Sequence, residues 1–234
     1  MLRNAMTQPE LVIFDCDGVL VDSEIIAARV EADLITQAGF EISAEELAES
    51  YAGLTFKDIL LKIEERADMP FQASLIDQAE AMVDRRLAAD VRAIAGAHEA
   101  VASVSTLRCI CSNSRIERLN AMLTRTGLQR FFDGLVFSSL DTTTRKPKPA
   151  PDVFLFAAEK MRAKPSRTFV IEDSVHGIQA AKAAGMRVIG FTGAAHTYAG
   201  HADALTDAGA ETVINRWSDF KPTLDALSLW SEEV

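Results

Sequence analysis

A chain of 234 residues with 48% hydrophobic and 25% charged side chains holds enough apolar material for one large domain, or one domain with a modest insertion, and too much for a disordered segment. Its net charge of -10 makes a surface that repels nucleic acid and anionic lipid, so attraction for an anionic substrate has to be local. Cys16, Cys109 and Cys111 are too few, and odd in number, for a disulfide framework; they read as buried thiols in a reducing compartment. The first ten residues hold no apolar stretch of signal-peptide length, and no run approaches the roughly 18–20 apolar residues of a membrane span, so the cytoplasm is the expected location.

In chain order, short apolar, β-branched runs at 11–15, 107–112, 134–139, 168–172, 187–191 and 212–214 predict strands, several of them buried on both faces because they do not alternate with polar residues. Helical patterns at 116–126, 153–161 and 178–184 lie between them, the first and last ending at Gly127 and Gly185, where a left-handed stop is easiest. Strand and helix in alternation predict an α/β fold, a Rossmann-like doubly wound parallel sheet. One block breaks the rhythm. Residues 25–39, 44–51, 56–67 and 74–89 read as four helices, with no strand among them. This predicts an inserted α-helical cap domain at 22–92 in a core of 9–21 and 93–234, with crossings near 21–23 and 90–96. The charged run 64–66 reads as a solvated helix face, and Trp217 and Trp230 as packing residues.

Parallel sheets place ligand sites beyond the carboxyl ends of their strands. The first strand ends in Asp15, Asp17, Gly18, Asp22, Ser23 and Glu24; the second in Ser112-Asn113-Ser114; the third leads to a basic loop with Lys146 and Lys148; the fourth ends in Glu172-Asp173-Ser174. Four carboxylates (Asp15, Asp17, Glu172, Asp173) cannot crowd together at neutral pH without a cation or raised pKa values, and Mg²⁺, with its preference for oxygen ligands, resolves the repulsion. The chemistry that fits is phosphoryl transfer. A carboxylate attacks phosphorus, a second one two residues on serves as acid and then base, and Ser112, Asn113 and nearby backbone N–H groups hold phosphate oxygens. A lysine balances charge in the transition state.

Four segments, in order, resemble the haloacid dehalogenase superfamily in its branch with a helical cap after the first strand: Asp15-x-Asp17-Gly18-Val19-Leu20-x-Asp22-Ser23-Glu24, Ser112-Asn113, Lys148-Pro149-x-Pro151-Asp152, and Glu172-Asp173-Ser174-x-x-Gly177. The resemblance runs from about residue 11 to the last strand. It implies a Mg²⁺-dependent phosphatase with Asp15 as nucleophile and metal ligand, and Asp17 as acid and base with its backbone carbonyl on the metal. It further implies Ser112 and Asn113 on the phosphoryl group, Lys148 steadying Asp15 and the phosphoryl oxygens, Asp173 on the metal, and Glu172 a direct or water-mediated ligand. Gly18 is expected to permit a tight turn that a Cβ would hinder. Asp22 and Ser23 are read as turn or cap residues as readily as functional ones. Lys146 is read as solvated, the loop histidines His176, His196 and His201 as outside substrate contact, and the Cys16 thiol as pointing into the sheet.

The implied partner is a small phosphorylated metabolite, a sugar or sugar-acid phosphate as in the 6-phosphogluconate phosphatases, with no nucleic acid or membrane and with the chain a monomer. The main alternative is a sugar-phosphate mutase similar to the β-phosphoglucomutases. Those proteins carry a cap histidine and a cap-loop arginine that fall, without gaps, on Ala27 and Phe56 here, with only Lys57 or Arg29 as substitutes. A metal-free dehalogenase fits poorly with Asp17 and the Glu172-Asp173 pair. A non-catalytic protein has no need of such mutually repelling acids.

Overall fold

The computed structural model describes residues 8–51, 55–67, 70–132 and 134–229, apart from the side chains of Ala48 and Glu49. Strand β1 (Leu11–Phe14) is followed by helices α1 (Glu24–Gln37), α2 (Ala44–Ser50), α3 (Phe56–Ala67), α4 (Ser74–Asp90) and α5 (Ala97–Ser103). Strand and helix then alternate: β2 (Leu107–Ser112), α6 (Ile116–Thr126), β3 (Val136–Ser138), α7 (Asp152–Met161), β4 (Thr168–Glu172), α8 (Val175–Ala183), β5 (Arg187–Phe191), α9 (His201–Asp207), β6 (Thr212–Ile214) and α10 (Phe220–Leu229). The six strands form one parallel sheet in the order β3-β2-β1-β4-β5-β6. The first strand therefore sits at the centre, and the chain winds outward from it in both directions, as the doubly wound reading requires.

Side chains alternate across the sheet with period two. Val12, Phe14, Ile110, Ile171 and Ile189 face one layer, where Phe14 packs on Phe132, Trp217 and Phe220. Leu11, Ile13, Cys109, Cys111, Val170 and Val188 face the other, against Phe154, Ile178 and Leu205 of α7, α8 and α9. Both faces of β1 are fully buried, which is why its sequence is continuously apolar. All three cysteines are free and buried, with Cys109 and Cys111 on one face. Trp217 is a packing residue: it stacks on Phe191 at 4.7 Å and donates its indole N–H to the Val19 carbonyl at 3.2 Å. Trp230 and positions 53–54 lie outside the described residues.

Gly127 and Gly185 are left-handed, with φ of +73° and +74°, just past α6 and α8. The first and third strands are shorter than their apolar runs, since residue 15 and residues 134, 135 and 139 lie beyond the ladder. Short helices α5 and α9, seven residues each, and the terminal α10 were not individually legible in the pattern. Glu64 is not wholly solvated: its carboxylate accepts the Phe71 N–H at 2.6 Å. The two crossings into and out of the helical block run side by side, Val21 bridging Ala93 and the Asp22 N–H bonding the Arg92 carbonyl at 3.0 Å. Among the described residues, no helix is long and apolar enough to cross a membrane.

Candidate active site

The central strand delivers Asp15 to the carboxyl edge of the sheet, where its N–H still bonds the Ile171 carbonyl of β4 at 3.0 Å. Asp15 is 6% exposed. Its neighbour across the edge is Lys148, which is 7% exposed and reaches in from the loop before α7. The Lys148 ammonium donates to Asp15 Oδ1 at 2.5 Å, Glu172 Oε1 at 2.6 Å and the Cys111 carbonyl at 2.8 Å. All three of its protons are thus matched. Burial alone would depress the Lys148 pKa, but Asp15 and Glu172 outweigh it and raise it, so the lysine stays charged. Lys146, two residues away, is exposed.

Asn113 fixes where Lys148 sits. Its Oδ1 accepts the Lys148 N–H at 2.9 Å and its Nδ2 donates to the Lys148 carbonyl at 3.4 Å. The amide is engaged with main chain 35 residues away, and Asn113 also lines the cavity.

Asp17 lies across the same crevice. Its Oδ1 accepts from Ser23 Oγ at 2.8 Å, and its Oδ2 from Ser112 Oγ at 3.1 Å and Ser114 Oγ at 2.8 Å. Three hydroxyls, one after β1 and two at the end of β2 and just beyond it, aim one carboxylate. Ser112 in turn accepts the Ser114 N–H at 2.9 Å. Ser23 makes no cap bond to α1 and serves Asp17 instead. Asp22 ties down the loop after β5, its Oδ1 accepting the Ala195 N–H at 2.8 Å.

Glu172, 1% exposed, uses both oxygens. Oε1 takes Lys148, and Oε2 accepts from the Asp173 N–H, the Ser174 N–H and Ser174 Oγ at 3.0–3.1 Å. The carboxylate fills the space beside Gly177, where an added Cβ would fall 1.9 Å from it, so glycine is required there. Gly18 has φ +68°, and a Cβ on it would fall 2.0 Å from Asp173 Oδ2. Two glycines of the motifs therefore make room for two acids.

Side-chain oxygens of Asp15, Glu172 and Asp173 lie within 4.8 Å of one another. Burial pushes the Asp15 carboxyl well up; Lys148 draws it back, while Glu172, Asp173 and Asp17 push it further up. One ammonium does not balance this many acids. A donor set made only of hard oxygens, short of positive charge, fits a divalent cation. Asp17's side chain is outside that cluster, which leaves its carbonyl as the group it could offer.

The histidines are closer to the site than their positions in sequence suggested. His196 Nε2 lies 3.0 Å from Asp173 Oδ2. His201 is on α9, buried, with Nε2 donating to the Asp173 carbonyl at 2.7 Å and with Tyr198 stacked on its ring at 4.6 Å. His176 is the second residue of α8. All three line the cavity with Asp15, Asp17, Ser112, Asn113, Lys148, Glu172 and Asp173. Its volume is about 640 Å³, ample for a small-molecule ester. Ser114 and the Cys111 carbonyl carried no signal in sequence beyond adjacency to a motif.

The sheet order and this edge of carboxylates, lysine and hydroxyls define a class. The description "haloacid dehalogenase-like hydrolase" matches residues 12–191, and the chain belongs to that family. It is 28% identical over 194 residues to the 6-phosphogluconate phosphatase of Escherichia coli K12, covering 82% of this chain and 86% of that one. It is 30% identical over 184 residues to hexitol phosphatase B of the same organism, covering 76% and 81%. A solved haloacid dehalogenase-like protein of Agrobacterium tumefaciens superposes with a TM-score of 0.90 at 54% identity, over 94% of this chain and 99% of that one.

Proposed function

We propose that the chain is a Mg²⁺-dependent phosphatase that hydrolyses a small phosphorylated carbohydrate through an aspartyl-phosphate on Asp15. The observation that carries the reading is the pairing of two differently held acids on one crevice. Asp15 is buried against Lys148 with its second oxygen unclaimed by it, and Asp17 is aimed by three hydroxyls. The names of the phosphatase relatives add support.

In the first step an Asp15 oxygen attacks phosphorus while the bond from phosphorus to the ester oxygen breaks. Protonated Asp17 gives its proton to that oxygen, and the alcohol leaves. In the second step the Asp17 carboxylate takes a proton from water, whose oxygen attacks phosphorus as the bond to Asp15 breaks. Phosphate leaves and Asp15 is restored. Lys148 stays charged throughout and balances the negative charge spread over the phosphoryl oxygens. Asn113 holds the Lys148 backbone in place, Ser112 and Ser114 orient Asp17, and Ser112 and Asn113 bind the phosphoryl group. Asp15, Asp173, the Asp17 carbonyl and, directly or through water, Glu172 would hold Mg²⁺, which when bound neutralises part of the substrate's charge. Residues 22–92 serve as a cap over the 9–21 and 93–234 core, moving about 21–23 and 90–96.

The mutase alternative is less favoured: among the described residues Ala27 lines the cavity, and Phe56, Lys57 and Arg29, which could grip a second phosphate, do not. The direct test is phosphate release from a panel of phosphorylated metabolites with Mg²⁺. The expected result is turnover of sugar or polyol phosphates; no release from any ester rejects the proposal.

A further inference from the structure

Beyond the phosphoryl end, the cavity has a charge pattern of its own. The residues of α1 that line it are Glu24, Ala27, Ala28 and Glu31. Spacings of three, four and seven put them on one helix face, with two methyl groups between two carboxylates. Leu47, Tyr51 and Ile59 complete the apolar part of the wall. Among the described lining residues, Lys148 is the only lysine or arginine, and its ammonium is taken by Asp15, Cys111 and Glu172. Arg118 is the cation whose field reaches both glutamates, but it is outside the wall and bonded to Asp84 at 2.6 Å.

Both carboxyls are pushed up to about 7: Glu24 by burial, then Asp17 and Asp173, with His196 and Arg118 opposing; Glu31 by burial, then Glu24, with Arg118 opposing. Glu24 is exposed and lines the cavity, so it is in reach of a ligand. This end of the cavity is rich in acceptors and poor in cations. A hydroxyl can donate to either glutamate. A second anion would lose water against two acids whose opposing groups, His196 and Arg118, are already engaged by Asp173 and Asp84.

We propose that Glu24 and Glu31 are specificity determinants that select phosphate monoesters of neutral sugars or polyols and reject esters carrying a second negative charge, such as sugar-acid phosphates and bisphosphates. The inference rests on the phosphatase reading and narrows its substrate class.

Initial rates with Mg²⁺ are to be compared for a hexitol 6-phosphate, the aldonic-acid 6-phosphate of equal chain length and a hexose 1,6-bisphosphate. p-Nitrophenyl phosphate serves as an ester with no sugar to recognise. The expected kcat/KM for the hexitol ester exceeds that for the aldonate by about tenfold or more, and Glu31→Gln or Glu24→Gln shrinks that ratio by about threefold or more. An aldonate or bisphosphate turned over as well as the hexitol ester by the wild-type protein overturns the inference, whatever the variants do. So does a ratio that neither folded variant moves. In both cases hydrolysis of p-nitrophenyl phosphate leaves the phosphatase reading standing. No release from any of the four esters overturns both.

Discussion

Replacing Lys148 by methionine removes the ammonium, which lies 5.0 Å from the centre of the Phe154 ring, while keeping a stem of similar length. Three hydrogen bonds of 2.5, 2.6 and 2.8 Å go with it. Two of their acceptors are carboxylates that are 6% and 1% exposed, so the variant buries Asp15 and Glu172 against each other without a cation. Breaking a buried ion pair from one side costs about 3–5 kcal/mol, and the same is expected here from urea unfolding in the presence of a chelator.

The penalty depends on pH with a definite sign. Asp15 already has a folded pKa above its unfolded one, chiefly through burial, and Lys148 is the one group pulling it down. Between those two values the folded chain binds more protons than the unfolded chain, so stability falls as pH rises. Loss of Lys148 raises the folded value further. The difference between variant and wild type is therefore expected to grow as pH rises and Asp15 loses its proton, and to shrink as pH falls and Asp15 takes one up. Activity should fall by about 100-fold or more, as for loss of a charge-stabilising donor. Exposed Lys146 gives the control: Lys146→Met should alter stability by under about 0.5 kcal/mol and kcat/KM by less than tenfold, about 1.4 kcal/mol. A Lys148→Met protein as stable as wild type across this pH range, or a larger effect at Lys146, refutes the reasoning.

Other consequences follow from single contacts. Gly177→Ala drives a Cβ into the Glu172 carboxylate, which four donors hold in place, and should cost about 1–3 kcal/mol by urea unfolding; an unchanged midpoint would mean that Glu172 can move. Chelation should abolish phosphate release and Mg²⁺ restore it, whereas chelated protein that dehalogenates a haloacid would favour metal-free chemistry. Asp84 of α4, which bonds Arg115, just before α6, and Arg118, in α6, at 2.6 Å each, is partly exposed, so Asp84→Ala should cost no more than about 1 kcal/mol by thermal melting. β-Glucose 1-phosphate with a trace of the 1,6-bisphosphate should give free phosphate by phosphorus NMR; rapid conversion to glucose 6-phosphate would favour a mutase.

The strands and long helices were legible because burial on both faces leaves continuous apolar runs and helix stops leave glycines. The acids were legible because strand ends of a parallel sheet converge: Asp15, Asp17, Glu172 and Asp173 all line one cavity, with the side chains of Asp15, Glu172 and Asp173 clustered. What could not be read was long-range pairing. Nothing local marks Asn113 as the clamp on the Lys148 backbone, or Ser23 as a partner of Asp17 in place of a helix cap. His196 and His201 come to Asp173 only through the turn after β5, and as isolated loop residues they look solvated. α5 and α9 are two turns long, and their residues show no pattern that separates them from the loops around them.

The central claim, that Asp15 carries the phosphoryl group, is tested most directly in Asp17→Asn. p-Nitrophenolate leaves without protonation, so Asp15 can still be phosphorylated, while the water that should release it has lost its base. Mixing the variant with p-nitrophenyl phosphate and Mg²⁺, quenching in acid and mapping the peptides should give a burst of about one p-nitrophenolate per chain and a phosphoryl group on Asp15. No burst and no modified Asp15, or a phosphoryl group on another side chain, would contradict it.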